Sequence, residues 1–389
     1  MKIRNSLGLS AGFLENGSLE KIEAGQIRIG LNSTSYFSRS GSNIWLRKLS
    51  PSIEYMPLTG PESNSRFRLE GNTYVAAGNW SDLSYSCLLQ LSEKSRSWQW
   101  SIKIQNNSSN DIKADIIYVQ DVGLKPSVSG LLNEYYVSQY LERQILDDNR
   151  YGSVICCRQN MKESGGHPWL IIACGNKAVS ASTDGMQFYG KSYRQTGIPE
   201  GLLAERLKGN YSGESSIVAI QEEPFNLQSG SWHQSRFVAS YDPDHQQATS
   251  AVDLDRLPGV FSEFDFGLWR GDPENMSTPV RNLFNTSSFL PAEDLTEEEV
   301  SRFFGNDLRH AEIRDGKLLS FFRGDHYHVM MRQKEVLADR PHGHIMQAEA
   351  GFTPDENIVS TTSFAFGVFN SHLCQGNTNF NVMLSVCSS

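Results

Sequence analysis

Leu83-Ser-Tyr-Ser-Cys-Leu-Leu-Gln-Leu91 and, a short turn later, Trp98-Gln-Trp-Ser-Ile-Lys-Ile104 decide the fold class. In the first, Leu83, Tyr85, Cys87, Leu89 and Leu91 share one face, with Ser84, Ser86 and Gln90 opposite. In the second, Trp98, Trp100, Ile102 and Ile104 alternate with Gln99, Ser101 and Lys103. Successive side chains of a strand point to opposite faces, so a period of two predicts antiparallel strands with one buried and one wet face.

The same texture extends outward. Gln26 to Asn32, Arg66 to Ala77, Ile112 to Asp121, Gly152 to Arg158, Trp169 to Cys174, Ser216 to Gln221 and Ser231 to Tyr241 read as further strands. Polar turns such as Asn106-Asn-Ser-Ser-Asn110 separate them. Regular strands without intervening helices predict an all-β, mainly antiparallel fold, a large β-sandwich or supersandwich, over residues 1–270. Asn133 to Asp147 breaks the pattern and reads as a short helix or an aromatic loop.

Residues 271–312 read as a Pro- and Asn-rich connector carrying a helix, Leu295 to His310. Thr296 and Glu299 have capping-box spacing, and Glu297 and Glu298 suit the positive end of the helix dipole. Strand character returns in Lys317–Phe322 and Tyr327–Arg332, so residues 313–389 extend or complete the sandwich.

Composition excludes some functions. A net charge of −9 is the wrong sign for a general binder of nucleic acid or anionic membrane. No run of apolar residues is long enough to span a bilayer, and the N-terminus lacks a signal-peptide core. Six cysteines without a two-residue gap predict reduced, buried thiols in a cytoplasmic protein. Seven Trp and 14 Tyr suit a protein that handles sugars, since pyranose faces stack on aromatic rings.

Polar ligand-binding side chains crowd the end of the chain. His342, His344, Asn370, His372, Gln375, Asn377 and Asn379 flank the aromatic run Phe364, Phe366 and Phe369, and they are the candidate substrate-binding residues. The alternative is that they hydrogen-bond internally at strand ends. His326 and His328 share the two-residue spacing of His342 and His344 and fall on one face of a strand. No acidic partner completes a metal set, so no metal or other cofactor is expected. Gly-x-Ser-x-Gly and phosphate-binding glycine loops are absent, so no catalytic residue is assigned.

Longer words carry a resemblance. Tyr118-Val-Gln-Asp-Val-Gly123, Asn133-Glu-Tyr-Tyr-Val-Ser-Gln-Tyr140, Phe322-Arg-Gly-Asp-His-Tyr-His-Val329, Arg340-Pro-His-Gly-His344, Ser360-Thr-Thr362, Gly367-Val-Phe-Asn-Ser-His372 and Gly376-Asn-Thr-Asn-Phe-Asn381 resemble glycoside phosphorylases of glycoside hydrolase family 94. The 1,2-β-oligoglucan phosphorylases and cyclic β-1,2-glucan synthase modules are the most similar. That resemblance implies a β-sandwich region ahead of a catalytic (α/α)6 barrel. There an Asp acts as general acid and inorganic phosphate, the co-substrate, attacks the anomeric carbon with inversion. This chain offers one clear helix, so the barrel and its acid are expected beyond Ser389. The resulting expectation is a non-catalytic N-terminal region that serves substrate access and homodimerisation, with a β-glucan oligosaccharide and the downstream barrel as partners. A stand-alone carbohydrate-binding protein and a metal-dependent sandwich enzyme are the alternatives.

Overall fold

The computed structural model describes residues 1–31, 34, 40–126, 134–163, 165–191, 193, 197–211, 215–265 and 276, together with the strand backbones of 309–314, 317–323, 327–331 and 358–362. The chain divides into two units. One comprises Met1–Thr34 and Ser40–Val280, the other Ser35–Arg39 and Arg281–Ser389.

The first unit holds two sheets. In the smaller, β1 (Lys2–Arg4), β2 (Leu9–Phe13), β3 (Leu19–Ala24) and β4 (Ile27–Arg28) form a meander that β12 (Lys125–Pro126) closes. The larger contains β5 (Asn43–Lys48), β6 (Glu54–Pro57), β7 (Ser65–Glu70), β8 (Thr73–Trp80), β9 (Leu83–Leu91), β10 (Ser97–Asn106) and β11 (Ile112–Asp121). It continues through β13 (Leu141–Asp148), β14 (Gly152–Gln159), β15 (Trp169–Cys174), β16 (Ala178–Asp184), β17 (Ser216–Glu222), β18 (Phe225–Leu227) and β19 (Trp232–Asp242). Its order is β6-β5-β11-β17-β16-β14-β15-β19-β10-β9-β8-β7, with β13 on β14 and β18 on β11. The fold is therefore all-β and mainly antiparallel, as the alternating stretches predict.

One joint departs from the antiparallel pattern. β14 meets β16 in parallel through Gly152 and Ala178. Gly152 has φ of 70°, and a Cβ there would collide with the Ala178 carbonyl. Only glycine lets the two antiparallel runs approach this closely.

The core lies on the inner face of the large sheet. Alternate residues of β9 and β10 (Leu83 to Leu91, Trp98 to Ile104) meet Phe13, Ile22 and Ile29 of the small sheet there. The outer face was expected to be wet and is in part covered: Gln99 is 0% and Ser101 4% exposed, whereas Gln105 is exposed. A 3-10 helix (Ala251–Arg256) runs into α4 (Leu257–Ser262), whose Leu257, Val260 and Phe261 pack with Phe264 on the outer side of β14, β15 and β19. Val75, Ala77, Leu88 and Met276 form a further outer cluster. A third covers β11 and β17 through α2 (Gly185–Tyr189) and α3 (Glu200–Leu203). Period-two alternation reports one good apolar face and cannot exclude partial cover of the other.

The ambiguous segment resolves into two elements. α1 (Glu134–Gln139) is followed by β13, where Leu141 and Ile145 face the inner core and Leu146 the outer cluster. In the second unit, β20 (Arg309–Arg314), β21 (Lys317–Arg323), β22 (Tyr327–Met331) and β23 (Ile358–Thr362) form an antiparallel four-stranded meander. The helix expected over Leu295–His310 lies outside the described residues except at its last two positions, where Arg309 and His310 begin β20. Among the described residues there is no helical barrel, and no helix is long and apolar enough to cross a membrane.

Candidate functional site

His342, His344, Asn370, His372, Gln375, Asn377 and Asn379 lie outside the described residues, as does His326. The backbone of β22 pairs His328 with Phe322 on one side and Thr361 on the other, which brings the words containing Phe322 and Ser360–Thr362 onto one sheet.

Within the first unit, two other words are joined through a third residue. Tyr118–Gly123 runs along β11 and its exit, and Asn133–Tyr140 contains α1. Ser138 on α1 shares a hydrogen bond with Ser216 at the start of β17, with hydroxyls 3.0 Å apart. Ser216 Oγ in turn donates to the Val122 carbonyl at 2.5 Å. Ser216 belongs to neither word, yet it joins them.

A relay of polar side chains organises the first word. Trp98 Nε1 donates to Tyr118 Oη at 3.2 Å, and Tyr118 Oη donates to Gln120 Oε1 at 2.9 Å. Gln120 Nε2 donates to Ser42 Oγ at 2.9 Å and to the Asp121 carbonyl at 2.8 Å. Ser42 Oγ also accepts the Asp121 amide at 3.1 Å. A buried indole thus fixes β11, and β11 fixes the loop before β5. From the next residues, the Gly123 amide donates to Ile29 O at 2.7 Å, and Gln159 Nε2 donates to Gly123 O at 3.3 Å. Lys125 and Glu163 form a short ion pair beside them.

Charges surround this cluster. Burial pulls the Arg28 guanidinium below its ordinary range, while Asp121 and Glu23 push it back. Burial likewise lowers the Arg143 guanidinium, with Cys157 and Asp184 opposing. Asp184, cross-strand from Ser216, is 4% exposed, and its Oδ1 has no hydrogen-bond partner among the described residues. The Cys157 thiol is pushed up to about 12 by burial, so it is protonated and unreactive at neutral pH.

This arrangement positions loops. Gln120, Ser138 and Ser216 spend their hydrogen bonds within the protein, and among the described residues no three His, Cys, Asp or Glu side chains converge to hold a metal. The four described cysteines, Cys87, Cys156, Cys157 and Cys174, are free and buried, as their spacing predicted. Sequence reasoning caught the two words and missed Ser216, which stands in an ordinary strand start without a motif.

The SOGP N-terminal domain family matches residues 12–239, and the glycoside phosphorylase supersandwich domain family matches residues 306–388. The 1,2-beta-oligoglucan phosphorylase of Listeria innocua is 26% identical over 375 residues, covering 96% of this chain and 33% of the relative. The chain therefore spans about a third of the length of the curated relative it matches. Among solved structures, a bacterial glucoamylase complexed with acarbose is similar with a TM-score of 0.40 and 8% identity, over 67% of this chain and 34% of that one. Galactose 1-epimerase from Lactobacillus acidophilus NCFM is similar with a TM-score of 0.37 and 12% identity, over 63% of this chain and 94% of that one.

Proposed function

We propose, for a chain that belongs to the SOGP N-terminal domain family, that it is the non-catalytic N-terminal β-sandwich region of a glycoside phosphorylase acting on β-1,2-linked gluco-oligosaccharides. The observation that carries this reading is similarity to a 1,2-beta-oligoglucan phosphorylase across 96% of the chain.

The reaction is phosphorolysis. Phosphate oxygen bonds to the anomeric carbon, the glycosidic C–O bond breaks, and an acid donates a proton to the departing sugar oxygen. A single enzyme carboxyl suffices because phosphate is itself the nucleophile, whereas an inverting hydrolase needs a second to activate water. In this reading the acid belongs to a helical barrel. The sandwich shapes access to it and supports dimerisation, in a cytoplasmic setting, with inorganic phosphate as co-substrate and no resident cofactor. The polar relay from Trp98 to Ser42 and the Ser138–Ser216–Val122 bridge fit such a role, because they hold the segment before β5, the exit of β11 and α1 in one fixed arrangement.

The test replaces the matching N-terminal third of the Listeria innocua relative with this chain. The chimera is expected to release glucose 1-phosphate from sophorotriose and phosphate, and the 389-residue chain alone to release none. A folded but inactive chimera, or sustained phosphate-dependent release by the chain alone, overturns the reading. Light scattering on the chimera tests the dimer.

A further inference from the structure

The outer face of the large sheet is not covered everywhere. Beyond the edge of α4, the register of β9, β10 and β19 sets Ser84, Gln105 and Trp232 in one cross-strand row and Ser86, Lys103 and Gln234 in the next. Trp232 is 55% exposed, unusual for so large an apolar side chain. Lys103 Nζ lies 5.2 Å from its ring centroid, an ammonium over the π face that restrains the ring's orientation. Gln105, directly cross-strand from Trp232, is exposed as well, so its amide is open to a ligand.

The chemistry of these two rows narrows what fits. Their accessible groups are the Trp232 indole, the Ser84 hydroxyl, the Gln105 amide and the Lys103 ammonium, with no carboxylate. A protein partner would be met by a contiguous apolar patch, but here the indole stands among polar groups. Nucleic acid is disfavoured by a net charge of −9 and a single lysine in the rows. A pyranose ring has apolar C–H bonds on its face and hydroxyls around its rim. It matches an aromatic platform bordered by an amide, a hydroxyl and an ammonium on a sheet face.

We infer that this face of β9, β10 and β19 is a surface binding site for a neutral oligosaccharide. Trp232 stacks on a pyranose ring, and Lys103 and Gln105 donate to its hydroxyl oxygens. The site is separate from the polar relay around Gln120 and Ser216. Its choice of β-1,2-linked glucans as first probe rests on the function proposed above.

The experiment is titration of the whole chain with sophoro-, cello- and malto-oligosaccharides, read by tryptophan fluorescence and calorimetry. Saturable binding is expected, weakened at least about tenfold by Trp232→Ala and by a smaller factor in Gln105→Leu. Near-UV circular dichroism identifies the folded variants, and Trp232→Phe, which keeps a ring, is expected to bind between wild type and Trp232→Ala. Failure of all three sugar series to bind overturns the inference, as does unchanged affinity in folded Trp232→Ala. Binding of cello- or malto-oligosaccharides without sophoro-oligosaccharides leaves the platform standing and removes the β-1,2-glucan reading. An active chimera with no sugar binding by the chain does the reverse.

Discussion

Over β14, β15 and β19 the outer face of the large sheet is sealed by apolar fit, whereas over β11 and β17 it is sealed by a polar strap. In the first cover, Leu257, Val260, Phe261 and Phe264 bury themselves on Val154, Cys156, Ile171 and Val238, and Phe261 stacks on Tyr151 at 4.8 Å. Polar groups only finish the edges. Trp169 lies stacked on His245 at 4.7 Å, with the Arg256 guanidinium 5.0 Å from its ring, and Ser250 and Asp253 form a capping box. Among the described residues the second cover offers Phe188, Leu202 and Leu207 to the sheet, with Tyr189 packed beside them, and leaves Met186, Ile198, Leu203 and Tyr211 exposed. What holds it is Arg47, 0% exposed. Its Nε and Nη2 donate to both oxygens of Asp115 at 2.7 and 2.6 Å, and its Nη1 donates to the carbonyls of Leu202 and Ala204. Gln221 Nε2 completes the strap by donating to Asp115 and to the Glu205 carbonyl. A cover with much apolar surface needs few directed bonds. One with little requires a charge pair that reads backbone carbonyls, and it is correspondingly intolerant of losing one partner.

Four measurements break or sharpen this contrast. The largest effect removes both covers together. Burial pushes the Tyr241 phenol up to about 12 from its ordinary 10.0, and the Cys157 thiol up to about 12 from 9.0. In each case the folded protein holds its proton more tightly than the unfolded chain. The stability they contribute is complete below about pH 9 and is lost as pH rises toward 12. Because both groups belong to the inner core, alkaline unfolding followed by phenolate absorbance and circular dichroism should be a single transition. Early loss of one cover would contradict this.

Next comes Asp115→Ala. It leaves Arg47 charged and buried, so about 3–5 kcal/mol of stability in urea should disappear, with new proteolysis near Ala204. The double variant Arg47→Met, Asp115→Leu should recover much of that loss. An equal loss in the double variant would show that the carbonyl bonds, rather than the unpaired charge, dominate. Leu257→Ala is expected to cost about 3 kcal/mol through the cavity it leaves, without new cleavage in the α2–α3 segment. The smallest effect is Arg256→Ala. The side chain is 45% exposed, and its pairing with Asp242 and stacking on Trp169 should amount to less than about 1 kcal/mol in thermal unfolding.

The two covers also explain what could be read from sequence and what could not. β9, β11 and β15 begin and end where the sequence reading places them: β9 repeats a period of two over nine residues, and β15 is a continuous apolar run that stops at Pro168 and Gly175. The Asn106–Asn110 turn was equally plain: Asn106 accepts the Ser108 amide and reaches the Asn110 carbonyl, local bonds for which Asn and Ser are suited. The small sheet was mostly missed, since strands of two or three residues such as β1, β4 and β12 carry no period. β13 was hidden behind the aromatic word that forms α1, although Leu141 and Ile145 already alternate with polar residues. The strap was illegible for a different reason. Arg47 and Asp115 are 68 positions apart, and nothing local distinguishes a strand residue that will be buried with its charge. The same applies to the candidate site, where the words were visible and their meeting through Ser216 depended on a strand far along the chain.

The placement of β10 has a consequence in time rather than in space. One of its edges is satisfied by β9, which precedes it immediately, but the other waits for Trp232–Asp242. A chain made at about 5–20 residues per second leaves that hydrogen-bonding edge, and the side of Trp98 and Trp100, without its permanent neighbour for on the order of ten seconds. During synthesis a strand that carries two of the core's tryptophans is thus an open template, and an exposed edge of that kind attracts other strands. The yield of folded protein should therefore depend on chaperones and translation speed more than the sealed native sheet would suggest.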